Sequence, residues 1–500
     1  MTTPEASSTQ QRVRWIPRFR FYTIFVFVGL SLFVPILDFI RYGLKGDFWW
    51  VWNSGRWMAN HHRVLMKNPA AWNGTALAGK PWVDLEWAWE WFIYVVDPHL
   101  HPLIFIGVLF VFEVLMLLAF LWTIEVIAPQ LTKEATWGLY ALYSVLLFPF
   151  TIRLRAELFS YAAFPFLLGV LWRSRKNPRW LWVLSPLTLV WANIHGSWLM
   201  ILVLSFLEVV LSLWNQDWRL AGFEALGGMV APVAIVTALT PFHLQTLTYA
   251  WWLDHNSYII RFIQEWQSIN FHETLFLLIG GLVFLAWLWR ARFHVSYPFV
   301  LDLWFVGITL AFFDQIRMIP YFGMVFVLWM GYGLGKGSRF QEWLSGTKGT
   351  MSFRWAQISG MTAALAASLL FAGVLKPHWV HPVVPAKVSW AARRVPHQVV
   401  LAPIDDGGYL EAHGVSGIYA DGRSDFFLAN GQRFQDYVTL VLNTTTPASR
   451  VSQIFSAHHI NMVVWPNAFL LADLRWYLKS HHWHQVVHQG QWAVWVPDTR

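Results

Sequence analysis

Cysteine is absent from all 500 residues. That excludes a disulfide framework, a thiolate metal site and a cysteine nucleophile, and it fits either redox compartment. Charged side chains are scarce. Asp, Glu, Lys and Arg make up 13% of the chain, where a soluble globular protein carries roughly a quarter. The deficit runs through residues 1–375 and is not confined to one segment. The first twenty residues, MTTPEASSTQQRVRWIPRFR, are followed by an apolar run with no small-residue cleavage site after it. That run, 21–40, is therefore expected to be a retained helix and not a removed signal peptide.

Apolar and aromatic residues fill the gap. Hydrophobic residues make up 56% of the chain and the mean hydropathy is +0.42. Apolar runs of about 17–25 residues recur, the length that crosses a hydrocarbon core. Tryptophan occurs 35 times, often beside the ends of these runs, as in the aromatic belts of membrane interfaces. The expected fold class is a polytopic α-helical membrane protein of about eleven transmembrane helices. The spans fall near 21–40, 102–127, 135–150, 157–173, 180–193, 197–214, 221–240, 274–290, 297–313, 318–335 and 355–375. The net charge of +8 does not indicate nucleic-acid binding, because the basic residues sit in short loops where they set topology.

Arg12, Arg14, Arg18 and Arg20 precede the first span and place the N-terminal tail, 1–20, in the cytoplasm. The clusters Arg173/Arg175/Lys176/Arg179, Arg290/Arg292 and Lys336/Arg339/Lys348/Arg354 then all fall on the inner side. This parity requires that Trp87–Val96, an apolar stretch carrying Glu90, lie along the outer leaflet as an interfacial helix and not cross. It also places residues 376–500 outside the cytoplasm. That segment has Gly-rich stretches read as turns (DDGGYLEAHG, YADGRSD), strand-like runs (HQVVLAPI, INMVVWP, WAVWVP) and a helix-like run near 468–479. Its length suffices for one small extracytoplasmic α/β or α+β domain.

Five polar clusters fall on the outer side of the membrane domain, 21–375. The long first loop, 41–101, carries Asp47, Arg56, Arg63, Asp84, Glu86 and Glu90. TIRLRAELFSY supplies Arg153, Arg155 and Glu157; WANIHGSW supplies Asn193 and His195. TPFH and RFIQEWQS supply His243, Arg261, Glu265 and Trp266, and FFDQIRMIP supplies Asp314, Gln315 and Arg317. Carboxylates act as general bases or metal ligands, and arginine forks match phosphate oxygens. An outward cavity for a phosphate-bearing substrate at the membrane surface is the inference. The structural alternative is that these groups pair between helix ends, Arg155 with Glu157 or Asp314 with Arg317, or are polar because loops are wet. Asp38 and Glu113, inside spans, are expected to pair within the bundle. His458, His459, His481, His482, His484 and His488 fit no closed metal spacing and read as a solvated face. Asn73-Gly-Thr75 and Asn443-Thr-Thr445 match glycosylation sequons, a pattern that arises often by chance. Asp405, Asp406, Asp421, Arg423 and Asp425 either contact an acceptor or cap the cavity, or are ordinary turn residues, the favoured reading; the last three share one face if that run is extended.

GDFWWVWNSGRWM followed by GKPWVDLEWAWEWFIY resembles the first outer loop of bacterial GT-C type glycosyltransferases. These multispanning, polyprenyl-phosphate-sugar-dependent enzymes include the protein O-mannosyltransferases and aminoarabinose transferases. RLRAELFSY, WANIHGSW, TPFH and QEWQS look like an uncharacterised bacterial branch. The resemblance implies that Asp47 deprotonates an acceptor hydroxyl, which attacks the anomeric carbon of the lipid-linked sugar with inversion. It implies that Glu86 orients the acceptor or helps hold a divalent metal, and that Arg153, Arg155 and Arg317 bind the departing phosphate, with His195 or His243 assisting. Glu157 and Glu265 belong to the same expected site. Many members pair two acids at the first position, whereas Asp47 stands between Gly46 and Phe48. No cofactor is fixed by this beyond a divalent metal as one alternative. The expected partners are the bilayer, a polyprenyl-phosphate-linked sugar and an acceptor, with no nucleic acid. The other reading is a non-catalytic membrane subunit or transporter for a polysaccharide or its lipid carrier. It requires polar residues along the spans, whereas here they gather at one side.

Overall fold

The computed structural model describes residues 44, 46–68, 81–131, 133–151, 153–336, 384–396, 399–423, 431–441, 446–467, 470 and 472–498. The expected spans 21–40 and 355–375, the Arg12–Arg20 cluster, Asp38, Asp425 and both sequons lie outside the described residues.

Apolar sequence becomes helix wherever it runs long enough. The membrane region holds α1 (Asp47–His61), α2 (Trp87–Val96), α3 (Pro102–Ile127), α4 (Lys133–Thr151) and α5 (Glu157–Ser174). It continues with α6 (Leu184–Ile194), α7 (Leu199–Trp214), α8 (Trp218–Ala225) and α9 (Ala231–Leu239), the last two joined by a π-helical turn. After these come α10 (Gln245–Asp254), α11 (Ser257–Phe262), α12 (Thr274–Phe293), α13 (Phe299–Asp314) and α14 (Ile319–Lys336). Among the described residues, five helices are long and apolar enough to cross a membrane: 102–127, 196–214, 218–239, 274–292 and 316–336. The shorter helices at 133–151, 157–174, 184–194 and 299–314 stand where the remaining described spans are expected. Asn177, Asp217 and Asn256 cap the starts of helical segments by accepting backbone N–H bonds, the usual role of these side chains. Helix α14 is buried along most of its length and forms the centre of the bundle, whereas α12 exposes Leu277, Leu278, Phe284 and Leu285.

Helix α2 has ten residues, about 15 Å at 1.5 Å per residue, which is half of a hydrocarbon core. It packs on α1 across Gly55, where an added Cβ would overlap the Glu90 carbonyl. Glu90 is fully buried in that contact layer.

The C-terminal part contains α15 (Ala386–Arg394), β1 (Val399–Leu401), α16 (Ile404–Ala412), α17 (Gly431–Val441) and α18 (Ala448–Ala457). It then runs through β2 (Ile460–Pro466), α19 (Ala472–Ser480), β3 (Trp483–Gln489) and β4 (Trp492–Pro497). The sheet order is β1-β2-β4-β3, with β1 parallel to β2 and the other pairs antiparallel. Strands β1, β2 and β4 coincide with the expected runs. The segment IDDGGYLEA departs from expectation: it is helix α16, not a turn. Helix propensity disfavours two adjacent glycines, but packing overrides it. An added Cβ on Gly407 would sit 2.6 Å from the Ala420 carbonyl, and one on Gly408 would sit 2.7 Å from the Trp50 backbone nitrogen. Only glycine allows this helix to lie against both neighbours. Asp405 and Asp406 occupy its first turn, where negative charge complements the helix dipole.

Helix α16 docks the C-terminal part onto α1. Asn53, fully buried, donates Nδ2 to the Gly408 carbonyl at 3.2 Å, and Trp49 packs edge-on against Tyr409. A second attachment runs through α11: Gln435 donates to the Tyr258 hydroxyl at 2.8 Å, and Phe434 packs on Tyr258 and Phe262.

Candidate active site

Gly46 turns the chain at φ +55, a conformation glycine tolerates, and places Asp47 in the first turn of α1. Trp50 Nε1 donates to Asp47 Oδ1 at 3.3 Å. The other oxygen, Oδ2, lies 3.2 Å from the Arg155 guanidinium. Arg155 comes from the short connection between α4 and α5. It also reaches Glu157 Oε1 at 3.4 Å and grips both oxygens of Glu265 at 3.2 and 3.3 Å. The Arg155 guanidinium holds the Glu265 carboxyl down to about 2.

Glu157 opens α5 and faces a second group. His195 Nε2 stands 3.8 Å from Glu86 Oε1 and 3.9 Å from Glu157 Oε1. These distances exceed a hydrogen bond and leave a gap among three donors. The imidazole is buried and fixed from behind. Its Nδ1 lies 2.7 Å from Ser197 Oγ and 3.0 Å from Ser160 Oγ, and the buried Trp191 donates Nε1 to Ser160 at 2.9 Å. Burial pushes the His195 imidazole down to about 4, so it is neutral at neutral pH. Burial, with Glu157 next to it, drives the Glu86 carboxyl well above its usual range. Trp87 Nε1 donates to Asn193 Oδ1 at 2.8 Å and ties α2 to the turn that carries His195.

The two loops that complete the site are laced together. Ile316 N donates to the Gln267 carbonyl at 3.1 Å and Ile269 N to the Phe313 carbonyl at 3.2 Å. Arg317 lies over the Trp266 ring, 4.0 Å from its centroid, a favourable cation–π geometry. Its charge acts on Glu157, Glu265 and His195. The Arg155–Glu157 pairing weighed from sequence is therefore formed, while Arg317 stacks on tryptophan. Arg153 is exposed, with its charge felt at Glu265. His243 is exposed and bonds the Thr237 carbonyl at 2.9 Å, not the cluster.

A further wall comes from the YADGRSD run, one of the segments that the sequence offers as a cap for the cavity. Gly422, from the C-terminal part, lies so near Asp47 that an added Cβ would come within 2.7 Å of Oδ1 and 2.9 Å of Trp50 Nε1. Behind it, Arg423 is fully buried and bonds both Asp421 and Glu411, the latter at 2.8 and 2.9 Å. Ser160 and Ser197 were missed. Both lie inside motifs singled out above, but a hydroxyl behind an imidazole leaves no spacing signal.

Glu86, Glu157 and His195 place one donor atom each within 4.8 Å of one another. Glu157 Oε2 is buried with no hydrogen-bond partner. His195 Nδ1 accepts the Ser197 backbone N–H at 3.3 Å, so metal ligation through Nε2 would require the other tautomer, with Nδ1–H donating to a serine hydroxyl. Two carboxylates and one imidazole fit a divalent ion such as zinc or manganese.

No protein-family model matches the chain, and no curated protein matches it in sequence. Solved structures do match in shape. The oligosaccharyltransferase of Archaeoglobus fulgidus in its apo form aligns over 94% of this chain and 74% of its own, at 12% identity and a TM-score of 0.59. The same enzyme in complex with Zn and sulfate aligns over 94% and 72%, at 13% identity and 0.58. ArnT from Cupriavidus metallidurans bound to undecaprenyl phosphate aligns over 94% and 97%, at 14% identity and 0.55. The chain has the GT-C glycosyltransferase fold. It spans nearly the full length of the ArnT chain, so its C-terminal part lies within the shared architecture.

Proposed function

We propose that the chain is a membrane glycosyltransferase of GT-C type that transfers a sugar from a polyprenyl-phosphate carrier to an acceptor at the extracytoplasmic face. The observation that carries this reading is the meeting of Asp47, Glu86, Arg155, Glu157, His195 and Glu265, delivered by separate turns at one end of the helical bundle. A structural pairing of helix ends needs two of these groups, not six. The proposed topology has eleven spans within 21–375, a cytoplasmic tail at 1–20 and an extracytoplasmic domain at 376–500.

Asp47 Oδ2, held beside Arg155, accepts the acceptor hydroxyl proton as that oxygen attacks the anomeric carbon from the face opposite the phosphate. The bond from the anomeric carbon to the phosphate oxygen breaks and the configuration inverts. Negative charge then develops on the leaving phosphate, and preorganised cations stabilise it in the transition state. Arg317, over the Trp266 ring, and the exposed Arg153 are, among the described residues of the cluster, the arginines with forks not committed to a carboxylate, and we assign them to the phosphate. A divalent ion at Glu86, Glu157 and His195 would add positive charge on that side. His243 is assigned no role in the transfer.

The test is Asp47→Asn in the full-length protein reconstituted in liposomes, assayed for release of undecaprenyl phosphate from a panel of undecaprenyl-phosphate sugars in the presence of envelope acceptor fractions. Transfer is expected to disappear while expression and insertion stay intact. Full transfer by the variant would remove Asp47 as the base. Carrier movement across the bilayer without sugar release would favour the transport reading.

A further inference from the structure

Three carboxylates from three different loops converge on one guanidinium. Arg155 lies 3.2 Å from Asp47, 3.4 Å from Glu157 and 3.2 Å from Glu265. Oxygen donors gathered around a single positive centre are the surroundings a hard divalent cation selects. Here the centre is a side chain, always charged, with five N–H donors in one plane. The neighbouring triad, Glu86–Glu157–His195, has its own donors within 4.8 Å and shares only Glu157 with the first group. Glu157 serves both through Oε1, 3.4 Å from Arg155 and 3.9 Å from His195 Nε2, while its Oε2 is buried with no hydrogen-bond partner.

We propose that Arg155 is a built-in counter-cation: it occupies the position that a divalent ion would take between Asp47, Glu157 and Glu265, and so confines metal binding to Glu86, Glu157 and His195. Two consequences follow for the chemistry. A guanidinium offers no open coordination position, so the Asp47 carboxylate keeps its lone pairs for a proton and not for a metal. The guanidinium also stays in place when divalent ions are removed, so the three loops remain assembled. Arg155 is then a positioning residue for Asp47.

The test counts bound metal and so stands apart from the transfer reaction; a failed transfer assay leaves it intact, and the reverse. Full-length protein in detergent is stripped with chelator and dialysed against Mn²⁺, and the ion is counted by plasma mass spectrometry. The wild-type chain is expected to bind no more than one ion. Asp47→Asn leaves that count unchanged, and His195→Ala removes any ion present. Arg155→Gln gains one further ion, and the double variant Arg155→Gln/Asp47→Asn loses it again. Arg155→Lys keeps the charge and gains none. Arg155→Met, which keeps the side-chain volume, serves if the glutamine variant does not fold. Two ions on the wild-type chain, loss of its ion on Asp47→Asn, or no gain in folded Arg155→Gln or Arg155→Met would each overturn the proposal.

Discussion

Replacing Gly408 by alanine sets two known effects against each other at the joint between the C-terminal part and α1. Gly408 is the fifth of nine residues in α16. In a free helix the change would stabilise by about 0.8–1.0 kcal/mol through backbone entropy. In this helix the new Cβ would sit 2.7 Å from the Trp50 nitrogen and 3.1 Å from its Cβ, where ordinary contact begins at 3.4 Å. The obstacle is backbone and cannot rotate away, so α16 and α1 must separate by about 0.7 Å. Overpacking of this kind costs about 1–3 kcal/mol. The buried Asn53 bond to the Gly408 carbonyl, already 3.2 Å, lengthens with it and forfeits about 1 kcal/mol. The expected net is a loss of about 1–3 kcal/mol. It should be read as a lower apparent melting midpoint of the purified protein, by tryptophan fluorescence at one scan rate, with faster proteolytic release of the C-terminal part. Gly222→Ala, where nothing lies within 4 Å of the added Cβ, is the control and should be neutral or stabilising. A Gly408→Ala chain that melts at or above the wild type would show that helix propensity, and not docking, decides at this position.

Arg423→Met leaves the Asp421 and Glu411 carboxyls buried without their cation, and should lower stability by about 3–5 kcal/mol, measured by the same melting assay. The Glu265 carboxyl, held at about 2 against an unfolded value of 4.5, stabilises the fold above the unfolded value. That contribution is complete above about pH 5 and is lost as pH falls from 4.5 towards 2; Glu265→Gln should flatten this part of the acid stability profile. Trp87→Phe keeps an aromatic ring, though a smaller one, and removes the 2.8 Å bond to Asn193. It should cost about 1 kcal/mol and loosen α2, seen as faster hydrogen exchange at the 193–197 turn.

The helices of the membrane region were legible because apolar runs of that length have few other solutions. The helices at 102–127, 133–151, 157–174 and 319–336 lie within a few residues of where hydropathy puts them. Helix α2 was legible as a separate short element because Glu90 and a span of ten residues argue against a crossing. The cluster of charges was legible as a shared side, since Asp47, Glu86, Arg155, Glu157, His195 and Glu265 all flank apolar runs on the same parity. Which atoms meet was not. That one arginine takes three carboxylates depends on loop paths that no spacing records. Helix α16 was hidden because its two glycines carry a message about neighbours and not about the local backbone. Strand β3, WHQVVHQ, was hidden for the opposite reason. It is an edge strand with most of its side chains in solvent, so its histidines read as surface and its alternation is weak.

The contact between Asn53 and Gly408 spans 355 positions of sequence, and Gly422 meets Asp47 across a comparable distance. That separation has a consequence for biogenesis. When Asp47 leaves the ribosome, the wall that will confine it has not been made. Most of the helical bundle must be translated before residues 404–423 exist to close on it. An unfinished chain therefore lacks the Gly422 wall beside Asp47, and that side of the site closes only once residues 404–423 have been made.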